Sequence, residues 1–325
     1  MTNYGRFFAV RGPESSYGDG ASNGSWKKIR VTGMGDPVNR NPTFEEAVDI
    51  SVATYAVGGP YTVNGTIDAL FRFKSFDPLL TSLLGASNGG KYTLSDTPSS
   101  YAFLIGDDQA NNNAGVTTAY YGCGISSMEL TFAVREFVRA RMTWIGQKAL
   151  VETPSSEPDW YVNPSNDPAA VFYNAIISVG GTPIKAKNIT LRIDRKFDND
   201  YFYIGSPLLQ GLYMNGQTEL GGSMTLGSGD WNTLKAVLTG GNATSITANM
   251  QTTSLGSENK NELQTQTMSI SLHDKDGNAL GTIKAGQVVF SESSRTVTGR
   301  NQWDKTVNYR IIVPSSDDFY IEPKK

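Results

Sequence analysis

The chain has a single cysteine, a single histidine and no long apolar run. One cysteine, Cys123, can neither close an internal disulfide nor build a thiol-rich metal site. With His273 alone, a cluster of histidine ligands or a Ser-His-Asp arrangement is a poor expectation, and no cofactor is expected. No stretch approaches the ~20 apolar residues of a membrane helix, so no membrane span is expected. The first twenty residues show no basic-then-apolar leader and no small-residue cleavage site, so the expected compartment is the cytoplasm in which the chain is made. Basic residues number 28 and acidic residues 31, a net charge of −3 with the two signs interspersed. Without a basic tail or stripe, a sequence-independent grip on nucleic-acid phosphates is not indicated.

The chain is instead rich in residues that favour strands and turns, including 34 glycines and 15 tyrosines among 325 residues. A chain of this length can bury roughly 75% of its unfolded surface, enough for a substantial core. The expected class is mostly β, with short helices flanking the sheets.

The first 45 residues, polar and Gly-rich, are expected to form an extended arm ordered against neighbours. Residues 45–57 and 61–73 are predicted strands around Gly58-Gly59-Pro60. A short helix is predicted over 75–86, capped by Ser75 or Asp77, with Pro78 in its first turn and Gly85 at its exit. Further strands are predicted near 100–106 and 117–146. In the latter, Met128, Leu130, Phe132 and Val134 alternate with Glu129, Thr131, Ala133 and Arg135. Val138, Ala140, Met142 and Trp144 then alternate with Arg139, Arg141 and Thr143. Such period-two alternation marks strands with one apolar and one polar face.

Four prolines between 154 and 168 predict a linker or projecting loop. Strands resume at 170–179, 188–197 and 211–228, and a second short helix is expected over 229–241. A hairpin turns at Asp276-Gly277-Asn278, and 306–313 is the last predicted strand. Residues 59–85 align with 216–240 through Gly59/Gly216, Gly65/Gly222 and Gly85/Gly240, each set enclosing a strand and a helix. The expected organisation is thus an internally duplicated chain: an arm (1–45), a first β domain (46–150), a Pro-rich linker (151–170) and a second β domain (171–325).

None of the chemical motifs reaches an active site. "HDKDGN" at 273–278 lacks the spacing and terminal Glu of a calcium loop and reads as a hairpin turn. Cys123 between two glycines reads as a small packed residue. Asp194 with Asp198 and Asp200, or Glu45 with Glu46, would supply the paired carboxylates of a glycosidase. Arg135, Arg139 and Arg141 lie among Glu129 and Glu136, which favours salt-bridged strand surface over phosphate contact. Tyr- and Trp-rich loops such as "PDWYVNP" leave a carbohydrate-binding or adhesin sandwich as an alternative.

The segment "GPESSYG" (12–18), the hairpin "YGCGISSMELTFAVREFVRARMTWIGQKA" (121–149) and "NITLRIDRKFDNDYFYIGS" (188–206) together resemble the tail tube proteins of tailed bacterial and archaeal viruses. The resemblance implies a β-sandwich or split-barrel domain with a flanking helix. Hairpins of neighbouring copies join into a β-barrel ring, and rings stack into a hollow tube in the virion tail. It implies no catalytic residues. Its implied partners are further copies of the chain, viral DNA and a tape-measure protein passing through the lumen, and a tail terminator and baseplate or tip proteins at the ends. Single-domain members usually make hexamers, so a duplicated chain would close a pseudo-sixfold ring with three copies, a hexamer being the alternative if one half is decoration. The arm and the Pro-rich segment become candidates for ring-to-ring contacts. The polar face of the long hairpin, with Glu129, Thr131, Arg139 and Arg141, becomes the candidate lining of the shared barrel.

Overall fold

A computed structural model describes residues 5–20, 24–35, 38–39, 43–44, 56–108, 117–152, 158–226, 265–296 and 304–324. All of the expected second helix, the carboxylates Glu45 and Glu46, and much of the first predicted strand lie outside these residues.

The first half of the chain runs through β1 (Gly5–Arg11), β2 (Lys27–Ile29), β3 (Gly33–Gly35), β4 (Val38–Asn39), the small pair β5 (Thr43–Phe44) and β6 (Ala56–Val57), and β7 (Thr62–Leu70). After α1 (Asp77–Leu83) come β8 (Tyr92–Thr93), β9 (Tyr101–Asp108), β10 (Thr117–Ala133), β11 (Arg139–Gly146) and β12 (Lys148–Val151). The second half holds β13 (Asp159–Trp160), β14 (Val171–Val179), β15 (Thr182–Ile184), β16 (Ala186–Asp194), β17 (Glu219–Leu226), β18 (Gln266–His273), β19 (Ala279–Thr296), β20 (Asp304–Ile312) and β21 (Phe319–Pro323). The fold is mostly β, a large barrel-like sheet with one α-helix among the described residues.

The 17-residue strand β10 holds the first half together because it belongs to two sheets. Its N-terminal part pairs with β9 and β12, and β9 continues to β1 and β2. At Gly122 the backbone turns with φ +67°, where a Cβ would meet Gln147 Cβ at 2.9 Å. Beyond this bend, β10 pairs with β11 on one side and β16 on the other. Strand β11 pairs with β7, which is flanked by β3 and β4.

The second half repeats this order. Strand β19 pairs by its first part with β18 and β21, and β18 continues to β14 and β15. By its second part β19 pairs with β20, which pairs with β17, which pairs with β16. Apart from β10 with β16, which joins the two sets, each of these pairings of the first set has a counterpart in the second. One of the glycine pairs matched in sequence coincides too: Gly65 opposes the buried Trp144, and Gly222 opposes the buried Tyr309. A Cβ on Gly65 would lie 2.5 Å from the Trp144 ring, and one on Gly222 would lie 1.9 Å from the Thr190 carbonyl oxygen. Only glycine fits where the neighbouring backbone or ring comes this close.

The predicted helix forms, with a different cap. Its N-cap is Phe76 and no side chain caps it. Ser75 is held through its backbone N–H by Asp167 at 2.9 Å, and Asp77 accepts the hydroxyls of Tyr92 and Tyr161. Phe76, Leu79, Leu80 and Leu83 are buried, and Ser82 Oγ accepts the N–H of Ile125 at 3.1 Å beside the β10 bulge. One core spans both halves, from Phe8, Ile67 and Phe132 to Ile189, Ile270 and Ile321.

Four other expectations change. The N-terminal arm is partly a core element: β1 is hydrogen-bonded between β2 and β9, and Phe8 is fully buried. Its alternating apolar residues are few, but they lie against a ready-made sheet. The Pro-rich segment is anchored rather than projecting where it is described. Asp159 and Trp160 pair parallel with Lys27 and Lys28, and the buried Asp167 accepts the backbone N–H of Ser75. The strand at 304–312 is not the last: Phe319 and Ile321 are buried in β21, a strand too short to show a clear period. Val134 does not join the apolar face, because the chain already leaves the strand at Ala133 and the residue is 50% exposed.

Candidate functional site

The central sheet runs β7, β11, β10, β16, β17, β20 and β19, all antiparallel. Antiparallel register carries alternating side chains of each strand onto the same face as those of its neighbours. On one face Ile67, Met142, Met128, Ile193 and Leu220 lie side by side in the core, as do Ala140, Leu130 and Leu191.

The other face is polar from one side to the other. One row across it reads Asp68, Arg141, Glu129, Arg192, Gly221 and Arg310. The next reads Arg139, Thr131, Thr190, Ser223 and Asn308, and a third Thr66, Thr143, Ser127, Asp194 and Glu219. All four candidate residues, Glu129, Thr131, Arg139 and Arg141, line one hollow of ≈ 500 Å³ with Asp68 and Gly33. Glu129, Arg139 and Arg141 are exposed, and Thr131 is half-buried between them.

Charges on this face are neutralised locally. Arg139 pairs with Glu136 at 3.2 Å and Arg141 with Asp68 at 3.9 Å. Arg192 and Lys196 both reach Asp194 at 3.0 Å, while Lys196 and Arg310 reach Glu219 at 3.4 and 3.8 Å. Partial burial works against ionisation of Asp194, but hydrogen bonds from Lys196 and the nearby Arg192 outweigh it and hold the carboxyl below its usual range. Between the charges, Ser127 and Thr143 hydroxyls meet at 2.7 Å and those of Thr190 and Ser223 at 3.0 Å. Such cross-strand pairs contribute roughly 0.2–1 kcal/mol each, so they order the face without driving the fold.

The other sequence candidates find structural roles. Asp194 belongs to this ion-paired face, and Asp198 accepts the N–H of Asp200 at 2.9 Å in a turn. Asp274 accepts the N–H groups of Asp276 and Asn278 and the Asn278 amide, closing the hairpin expected there. Cys123 is fully buried, and burial followed by the charge of Glu14 pushes its thiol well above the usual range. Arg135 sits in the β10–β11 turn at φ 68°. In the aromatic loop, Lys28 lies over the Trp160 ring at 4.9 Å and Tyr161 donates to Asp77, so both rings are engaged within the chain. Among the described residues, no three His, Cys, Asp or Glu side chains gather as a metal site. None of the described helices is long and apolar enough to cross a membrane.

A mostly-β chain with a broad sheet face of ion-paired and hydroxyl side chains is suited to a structural role. The family model for the phage tail tube protein matches residues 9–287, more than half of the chain. The chain belongs to the phage tail tube protein family. No curated protein matches it. As a tail tube family member it is a structural component of a phage tail, and the family is not typically enzymatic. Asp68, Glu219 and Arg310 complete the polar face and were not singled out from sequence. The alternation in β16 marks Arg192 and Asp194 as polar, but the pairing that puts them beside Glu129 links residues some sixty positions apart.

Proposed function

We propose that this tail tube protein polymerises as stacked rings into the hollow tail tube, with the polar face of the central sheet as its lining and viral DNA as its cargo. The observation that carries this is the continuous, ion-paired polar face beside open strand edges. Among the described residues nothing pairs with the outer edge of β19 from Val289 to Thr296, or with the outer edges of β3 and β4. Open edges of this kind promote aggregation unless another chain covers them, and heterologous edge-to-edge addition closes into a ring.

A neutralised lining suits a conduit. Each phosphate contact by an unpaired cation releases counterions and holds DNA in place, whereas paired cations contribute little such grip. Three copies would set about 24 strands around the ring. At ~4.8 Å per strand that gives a bore of roughly 37 Å between backbones before strand tilt widens it. Barrels of 16–18 strands already enclose an aqueous channel. Ring-to-ring contacts are assigned to the loop carrying Tyr203 and Ile204, both exposed, because the described parts of the arm and Pro-rich segment are engaged within the chain. A tape-measure protein in the lumen and terminator and baseplate proteins at the ends complete this assignment, with assembly in the host cytoplasm before incorporation into the virion.

Negative-stain microscopy of the purified chain tests the assembly: rings or tubes are expected, and persistent monomers at high concentration would overturn it. For the lining, tubes of a Glu129→Lys, Glu219→Lys variant should retain short DNA duplexes at low salt and release them as salt rises, unlike the parent. Equal retention by both would remove this face from the lumen.

A further inference from the structure

The matched pairing of the two halves extends to the residue. Val38 opposes Val63 as Ile193 opposes Leu220, and Met34 opposes Ile67 as Ile189 opposes Met224. Strands β3 and β4 together therefore occupy in the first half the place that β16 occupies in the second. Likewise Ser127 opposes Thr143 just past a bulge in β10, and Glu292 opposes Asn308 just past a bulge in β19. The distal part of β19 stands where the distal part of β10 stands. Bulges are local devices that set twist and register, so a bulge at the same step in both halves makes the correspondence specific to the residue.

Within the chain the two halves are joined by one central-sheet pairing, β10 with β16, in which Ser127 opposes Asp194, Met128 opposes Ile193 and Thr131 opposes Thr190. The counterpart of β10 is the edge of β19, and the counterpart of β16 is the edge of β3 and β4, both unpaired among the described residues. Each copy thus carries the two complementary halves of a joint it already makes once internally.

We infer that neighbouring copies in a ring join by antiparallel pairing of β19 with β3 and β4 of the next copy, in the register of the internal β10–β16 joint. Glu292 then opposes Asn39, Ser293 opposes Val38, and Thr296 opposes Gly35 across the interface. The occupant of both edges is a second copy of this chain. The contact is heterologous, so it repeats around the ring without leaving an edge unpaired. This inference rests on the ring assembly proposed above.

The test is disulfide capture in assembled tubes. Directly opposed strand residues have Cβ atoms about 4.5–5.5 Å apart, close to disulfide range. A Glu292→Cys, Asn39→Cys variant, oxidised after assembly, should give a ladder on non-reducing gels that ends at a closed ring. A Ser293→Cys, Asn39→Cys variant, one residue out of register and on opposite faces, should give at least tenfold less. Native Cys123 is fully buried and stays out of the reaction. Parent tubes with no excess crosslinking in the in-register variant would overturn the joint while leaving the tube function standing. If the variants do not assemble, a reconstruction of parent tubes decides it: β19 against β3 and β4 of the neighbour supports the joint, and any other strand overturns it. Absence of rings from the parent chain would overturn both proposals.

Discussion

Thr131 and Phe132 are consecutive residues on one strand and meet different surroundings. Phe132 lies fully buried in a core that spans both halves of the chain, and Thr131 lines a hollow between Glu129 and Arg139. The apolar face draws its stability from burial, at roughly 1.5–3 kcal/mol for each large side chain removed from water. On the polar face each contact contributes a fraction of that, and charged groups there are screened by solvent. One face therefore specifies the fold and the other is free to specify what the sheet looks at.

The sharpest way to break this contrast is Phe132→Asp, which places an unpaired carboxylate in the core. We expect a loss of several kcal/mol and no cooperative unfolding transition by circular dichroism. If this variant melted like the parent, the face assignment would be wrong. Next in size is Gly222→Val, which pushes a side chain against the Thr190 carbonyl where β16 and β17 meet. A destabilisation of about 1–3 kcal/mol is expected, seen as a lower Tm.

A smaller effect follows from Tyr101, whose hydroxyl is pushed up to about 12, mainly by burial. A group whose pKa is raised on folding contributes stability that is complete below its unfolded pKa, near 10. That contribution is lost as pH rises toward 12. Alkaline titration should show Tyr101 ionising above pH 10 together with loss of structure, and a Tyr101→Phe variant should lose less stability over that window. The smallest change is expected for Arg139→Glu or Arg141→Glu. Both sites are exposed, so unfolding free energy should shift by at most about 0.5 kcal/mol while tube assembly or DNA passage changes. A folding defect as large as that of Phe132→Asp would erase the distinction between the faces.

Much of the central hairpin was legible in the sequence because strand faces are a local property. Period-two alternation assigned Met128, Leu130 and Phe132 to one side and Glu129 and Thr131 to the other. The helix was equally legible, from Pro78 and the leucines that follow, although its cap was misread because Asp167 arrives from ninety residues away to hold Ser75. Charge was a poorer guide. Arg195 in "RIDRKF" has the sequence context of a surface residue, yet it is 1% exposed and donates to the Ser95 carbonyl oxygen. Its partners, the carbonyls of Ser95 and Ser126, come from distant parts of the chain and are not encoded in the four residues on either side of it.

The sequence by itself determined the β class, the two faces of the long strands and the recurrence of a Gly–strand–Gly pattern in both halves. Each follows from side-chain alternation or from a glycine's lack of a Cβ, which act over a few residues. Tertiary structure alone decided which strands become neighbours. A backbone edge can pair with many others, and the choice depends on contacts between distant residues such as Ser127 with Asp194. That choice assembled the polar rows, paired Arg141 with Asp68, and left the edges of β19, β3 and β4 open among the described residues.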